Sequence, residues 1–192
     1  MAVHVLVPVK RLDGAKSRLA GALAPHERAE LMLELLHNVV GAVREADVGP
    51  ITLVTSEPLS VAGATRWDDS GLAWNDALLA AMREVVSEPV ATIVSADLPL
   101  LRAEEVRALI DATPARGIAI ARATDGGTNA VSMRPSAALK TCFGEPRSAR
   151  RHAELAEQAG LAHAIVDLPG LAFDLDTPED LERLRAGAQV AR

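Results

Sequence analysis

Six short runs rich in valine and isoleucine recur along the chain, at residues 3–9, 51–55, 91–95, 117–121, 129–133 and 163–167. Several are separated by stretches whose apolar residues repeat at helical spacing. In residues 25–46, Leu31, Leu35, Leu36, Val39, Val40 and Val43 share one stripe behind Pro25. Residues 71–86 repeat the pattern with Leu72, Ala77, Leu78, Ala81, Met82 and Val85. The segments 102–113 and 177–188 each begin with acidic residues and carry arginines later, the order the helix dipole favours. Thr177, Pro178, Glu179 and Asp180 read as an N-cap followed by proline at the first helical position. Strands alternating with helices predict an α/β fold whose parallel or mainly parallel sheet is covered on both faces. No linker, repeat or low-complexity stretch divides the chain, so residues 1–192 are expected to form one domain. In such sheets ligands bind where the loops leave the carboxyl ends of the strands, and those loops deserve the closest reading.

The bulk properties exclude several classes of partner. A net charge of -6 disfavours a non-specific nucleic-acid binder, which needs a broad cationic surface. The aromatics are Trp67, Trp74, Phe143 and Phe173, too few for a base-stacking platform. The lone cysteine, Cys142, cannot close an internal disulfide and is expected to be buried and structural in a reducing compartment. The first nine residues lack the cationic start and cleavage site of a signal peptide. Nowhere do 18 apolar residues run together, so no membrane span and a cytoplasmic location are expected.

The loop after the first apolar run gathers Lys10, Arg11, Lys16 and Arg18, and holds two of the chain's three lysines. It is neither a Walker loop nor the GxGxxG dinucleotide fingerprint. Lys16, beside Gly14 and Ser17, suits a phosphate: glycine lets backbone amides approach an anion and the ammonium is a compact point charge. Arg11 alone reads as a solvated charge. After the run 91–95, Asp97 stands at a strand end with Pro99 behind it, placed as a magnesium ligand or a cap. Asp174 and Asp176 form a second acidic pair, which alternation places on the same face of a short strand. Together with Asp97 they are expected to hold a metal against a triphosphate bound by Lys16. Gly126, Gly127, Thr128 and Asn129 suit either a backbone anion site or a tight hairpin. Ser148 opens a helix near Arg147, Arg150 and Arg151, which reads equally as an anion site or an ordinary cap. The histidines, His4, His26, His37, His152 and His163, match no zinc spacing, and no GxSxG supports a hydrolase.

Taken together, VPVKRLDGAKSRL, SADLPLL, DGGTNAV, CFGEPRSARRH and FDLDTPEDL resemble the guanylyltransferases of coenzyme F-420 biosynthesis. That family includes the enzymes acting on 2-phospho-L-lactate and on phosphoenolpyruvate. The likeness covers nearly the whole chain in order, although single pieces occur more widely among nucleotidyltransferases. It implies a GT-A-like nucleotidyltransferase fold with a mixed, mainly parallel sheet flanked by helices. It also implies GTP and magnesium, with Asp97 and Asp176 as metal-side carboxylates, and an acceptor held by Thr128, Gly144 and Ser148. The match departs where the family usually has a glycine before that serine: here Arg147 stands there, with Glu145 and Pro146 ahead.

The resemblance answers what the cationic loop waits for: Lys10, Lys16 and Arg18 are expected on the phosphates of GTP, with Lys16 and Asp97 as the catalytic pair. Asn75 and Asp76 are candidates for base or ribose contact, or else helix-surface polarity. The acceptor is expected to be a three-carbon acid with one phosphate and one carboxylate, namely phosphoenolpyruvate, 2-phospho-L-lactate or 3-phospho-D-glycerate. The family suggests a homodimer. The alternatives are another nucleotidyltransferase, of the molybdenum-cofactor or sugar-phosphate type, and a nucleotide-binding regulatory module without catalysis.

Overall fold

The computed structural model describes residues 2–190. The apolar runs become strands β1 (Val3–Pro8), β2 (Ile51–Val54), β4 (Val90–Val94), β5 (Gly117–Arg122), β6 (Thr128–Arg134) and β7 (Ala162–Val166). One further strand, β3 (Thr65–Trp67), completes a seven-stranded sheet ordered β3-β2-β1-β4-β6-β5-β7. Only β6 runs against its neighbours; β1, β2, β3 and β4 are parallel, as are β5 and β7. The sheet is therefore mixed and mainly parallel, as the resemblance implies.

The major helices are α1 (Pro25–Ala46), α2 (Trp74–Glu84), α3 (Ala103–Asp111), α4 (Ser148–Gln158) and α6 (Pro178–Val190), with a single turn, α5 (Pro169–Ala172). Helix α1 begins and ends at the sequence-expected bounds. Helix α2 is shorter than expected, because Leu72 precedes it and is 47% exposed. At the start of α6, Thr177 Oγ1 accepts the Asp180 N–H at 3.3 Å while the Asp180 carboxylate accepts the Thr177 N–H at 2.9 Å, so both ends of the cap are satisfied.

Alternation along each central strand sends side chains into two separate cores. On one face Val5, Val7, Leu53 and Val94 pack with Leu36, Val40 and Val43 of α1 and Val106 and Leu109 of α3. On the other, Leu6, Ile93, Ile120 and Val131 pack with Leu78 and Met82 of α2 and Ala149, Ala153 and Ala156 of α4. Full burial of each such aliphatic is worth about 1.5–3 kcal/mol, so the sheet frame is held firmly. A third cluster, Leu19, Leu35, Leu175 and Leu181, ties the cationic loop, α1 and the chain around Asp176 to one another. That small core decides where the charged residues go.

Candidate active site

The carboxyl ends of β1 and β4 lie on one edge of the sheet, and because β6 runs the other way its first residues meet them there. The Ser95 N–H donates to the Asn129 carbonyl at 2.8 Å across this junction. The Leu175 N–H donates to the Asp97 carbonyl at 3.2 Å and brings the 173–177 segment to the same edge. A cleft of about 740 Å³ opens there, lined by Lys10, Lys16, Arg18, Asp97, Thr128, Gly144, Ser148, Asp174 and Asp176 among others. Its size suits a nucleotide-sized ligand.

One wall of the cleft is charged. Carboxylate oxygens of Asp97, Asp174 and Asp176 all lie within 4.8 Å of one another. The expected strand around Asp174 and Asp176 does not form: residues 173–177 are irregular, tied by Leu175 into the third core, and both carboxylates still turn to the cleft. The ammonium of Lys16, 4% exposed, reaches Asp97 Oδ2 at 2.6 Å and Asp176 Oδ1 at 2.7 Å. Burial pulls its pKa down, but the attraction of Asp97 and Asp176 outweighs this and the group is raised and charged. Lys16 itself adopts the left-handed region, φ 50° and ψ 43°, which costs a side-chain-bearing residue about 1–2 kcal/mol. Burial, then the charge of Asp97, pushes the Asp174 carboxyl up to about 6; the Asn129 amide opposes this at 3.2 Å and Asp176 adds to it. Three convergent hard oxygens whose mutual repulsion already draws in one cation are the donor set that a divalent metal ion fits.

The remaining cations stand further out. Lys10 lies over the ring of Trp74, 4.9 Å from its centre. Arg18 is 70% exposed with its guanidinium 3.5 Å from Asp176. Arg11 pairs with its neighbour Asp13 at 3.1 Å in solvent.

The opposite wall is built on two buried hydroxyls, with Glu145 and Arg147 lining the cleft beside them. Thr128 opens β6 and Ser148 opens α4; both are buried, and Ser148 Oγ donates to Thr128 Oγ1 at 3.0 Å. The residues before Thr128 form the β5–β6 hairpin, so the tight-turn reading of the glycines holds while Gly127, Thr128 and Asn129 also line the cleft. Gly144 takes φ 78°, a conformation open to glycine without strain. Arg147 precedes α4 at φ 55° and ψ 37°, again left-handed. The backbone thus keeps at Arg147 the conformation that a glycine would favour, and the loop shape does not depend on having one. Arg150 and Arg151 turn to Glu154, at 2.9 and 3.6 Å, rather than to the cleft.

Asn75, expected as a base or ribose contact, is not among the residues that line the cleft. Its carboxamide is spent on the loop before α4: Oδ1 accepts from Thr141 Oγ1 at 2.8 Å and the Phe143 N–H at 2.9 Å, and Nδ2 donates to the Phe143 carbonyl at 3.1 Å. Asp76 faces Lys140 at 2.6 Å. Cys142 is buried, and burial, aided by Glu145, pushes its thiol up to about 12, so it is no nucleophile. His152, which no sequence motif marks, lies 1% exposed beneath this wall and bonds to Thr128, Ser148 and Cys142. Its i+4 spacing from Ser148 on an amphipathic helix was the available signal.

The family model described as "Guanylyl transferase CofC like" matches residues 3–187. The phosphoenolpyruvate guanylyltransferase of Sphaerobacter thermophilus is 41% identical over 199 aligned positions, covering 99% of this chain and 96% of that protein. The one from Rubrobacter xylanophilus is 37% identical, covering 99% of this chain and 97% of that protein. Among solved structures, a nucleotidyl transferase from Methanothermobacter superposes with a TM-score of 0.72 at 16% identity, covering 100% of this chain and 99% of that one. The 2-C-methyl-D-erythritol 4-phosphate cytidylyltransferase of Thermus thermophilus gives 0.61 at 21% identity, covering 98% and 100%. The fold is that of the nucleotidyltransferases. Among the described residues, no helix is long and apolar enough to cross a membrane.

Proposed function

The chain belongs to the CofC-like guanylyl transferases, and from that premise we propose that it transfers GMP from GTP to phosphoenolpyruvate, releasing pyrophosphate, in coenzyme F-420 biosynthesis. The observation that carries the reading is a cleft that joins a wall of carboxylates and a buried lysine to a wall of hydroxyls. It is the division a reaction between a triphosphate and a small phosphorylated acid requires. The work is done by one domain, in the cytoplasm.

An oxygen of the acceptor phosphate attacks the α-phosphorus of GTP; the new O–P bond forms as the bond to the β-phosphate oxygen breaks and pyrophosphate leaves. The acceptor phosphate is already ionised near neutral pH, so no residue has to remove a proton. Catalysis rests on alignment and on neutralising charge. Lys16 is placed to turn from the carboxylates to the incoming phosphates, with Lys10 and Arg18 adding positive charge at the cleft mouth. Asp97 and Asp176, joined by Asp174, are the residues that would hold magnesium, whose charge would offset that of the triphosphate. Thr128, Gly144 and Ser148 would receive the acceptor. Guanine selection then falls to residues that line the cleft, while Asn75 holds the loop before α4.

The test is pyrophosphate release from GTP and magnesium with phosphoenolpyruvate, 2-phospho-L-lactate and 3-phospho-D-glycerate in turn, coupled to the deazaflavin-consuming partner enzyme. Release with phosphoenolpyruvate is expected. Release only with a sugar phosphate or pterin, or GTP binding without any turnover, would favour the two alternatives.

A further inference from the structure

Beneath the hydroxyl wall, a ring, two hydroxyls and one loop amide form a network whose hydrogen-bond directions are all fixed. The main-chain N–H of Cys142 can only donate, and it meets His152 Nε2 at 3.0 Å. Nε2 is therefore the bare nitrogen of a neutral ring, and the proton is on Nδ1. Nδ1 lies 2.9 Å from the Ser148 carbonyl, one helical turn back, and 3.1 Å from Thr128 Oγ1. The same Thr128 oxygen accepts from Ser148 Oγ at 3.0 Å. The single Nδ1–H is shared between the Ser148 carbonyl and Thr128 Oγ1, so with the Ser148 O–H on its other side the Thr128 oxygen is met by donors and has its own O–H to offer. No second acceptor for that O–H is found among the described residues, and Thr128 lines the cleft.

We propose that His152 is a positioning residue that makes Thr128 a one-way hydrogen-bond donor, so that this end of the cleft selects an acceptor presenting an unprotonated oxygen. This rests on the reading that the acceptor binds between Thr128 and Ser148. The polarity originates in a peptide N–H, which cannot reverse, and passes through the ring to the hydroxyl. The opposite tautomer would put two N–H groups face to face at Cys142. Phe143, edge-on to the imidazole with ring centres 5.3 Å apart, keeps the ring from turning over. A carboxylate or phosphate oxygen gains the hydrogen bond; a hydroxyl or ammonium in its place meets a donor with a donor.

Two measurements on the full chain decide this. Nitrogen-15 spectra of the imidazoles at neutral pH are expected to show His152 as a fixed Nδ1–H tautomer, and an Nε2–H ring or a tautomer average would overturn the proposal. In kinetics, His152→Gln, which can still meet the Cys142 amide but no longer donates from the Nδ1 position, is expected to raise the KM for phosphoenolpyruvate about tenfold or more. That is the value of one hydrogen bond to a charged group. The KM for GTP should stay within about twofold of wild type. His152→Asn, which restores an N–H near Nδ1, should recover most of the loss. Thr128→Val should reproduce it, and the Thr128→Val, His152→Gln double variant should lose nothing further. A merely structural histidine would instead degrade both KM values together, with no rescue by Asn. An unchanged phosphoenolpyruvate KM in a folded His152→Gln variant overturns the proposal; if that variant does not fold, Thr128→Val and the tautomer decide. Wild-type silence with every three-carbon acceptor would remove the functional reading instead, and the tautomer would still judge the polarity.

Discussion

The two walls of the cleft are stabilised in opposite ways. The acidic wall holds three carboxylates around one buried ammonium, with a left-handed lysine and a carboxyl pushed up to about 6. The hydroxyl wall holds Thr128, Ser148 and His152, all buried and mutually hydrogen-bonded without a formal charge. Under the proposed function the first arrangement is one that an incoming charge would rearrange, with Lys16 trading carboxylates for phosphates as a cation arrives. The second is complete before any ligand binds. A triphosphate brings large charge and tolerates a responsive site, whereas telling apart three small acids needs fixed donors.

The largest blow to this contrast comes from Asp97→Ala. Turnover is expected to fall by about a thousandfold, the scale of losing a preorganised electrostatic partner, while the thermal midpoint barely moves. Wild-type turnover with intact magnesium dependence would contradict the placement. Lys16→Met follows, with turnover down by about a hundredfold. It also leaves the carboxylates without their cation, so the metal-free midpoint should drop and added magnesium should restore more of it than in wild type. Equal magnesium responses in the two proteins would mean that Lys16 does not compete for the site.

On the hydroxyl wall an effect on stability is expected beside the change in acceptor KM. Burial holds the His152 ring near 4, below its ordinary 6.5, with the hydrogen bond to Ser148 opposing. Between those values the unfolded chain takes up a proton that the folded one refuses. The contribution is thus full above about pH 6.5 and lost as pH falls towards 4, amounting to about 3 kcal/mol. Urea titrations across this range should show a shallower loss in His152→Gln; parallel curves would place the acid sensitivity elsewhere. Least of all, Arg147→Gly should shift stability by less than about 1 kcal/mol, because relief of the left-handed strain offsets the greater chain entropy of glycine. A larger drop in chemical denaturation would mean that the arginine side chain holds the loop.

Much of this was legible before the structure. Apolar periodicity gave α1 to the residue, and the loops after β1 and β4 announced Lys16 and Asp97 by charge and position. Strand β3 escaped because it has three residues, none of them an aliphatic, and lies at the sheet edge. The partners of Lys16 lie 81 and 160 residues away, and local pattern carries no such distances. Asn75 looked free because a helix-surface amide and an amide clamping a distant loop have the same sequence signature. His152 was hidden for the complementary reason: a buried ring is silent until its neighbours are known.

The most direct test of the whole account is phosphorus NMR of the products formed from GTP, magnesium and phosphoenolpyruvate. Pyrophosphate is expected together with an equal amount of a new, mutually coupled phosphorus pair, the diphosphate joining GMP to the acceptor. GDP with inorganic phosphate, or GDP with a phosphorylated acceptor, would show attack at the γ-phosphorus and contradict it.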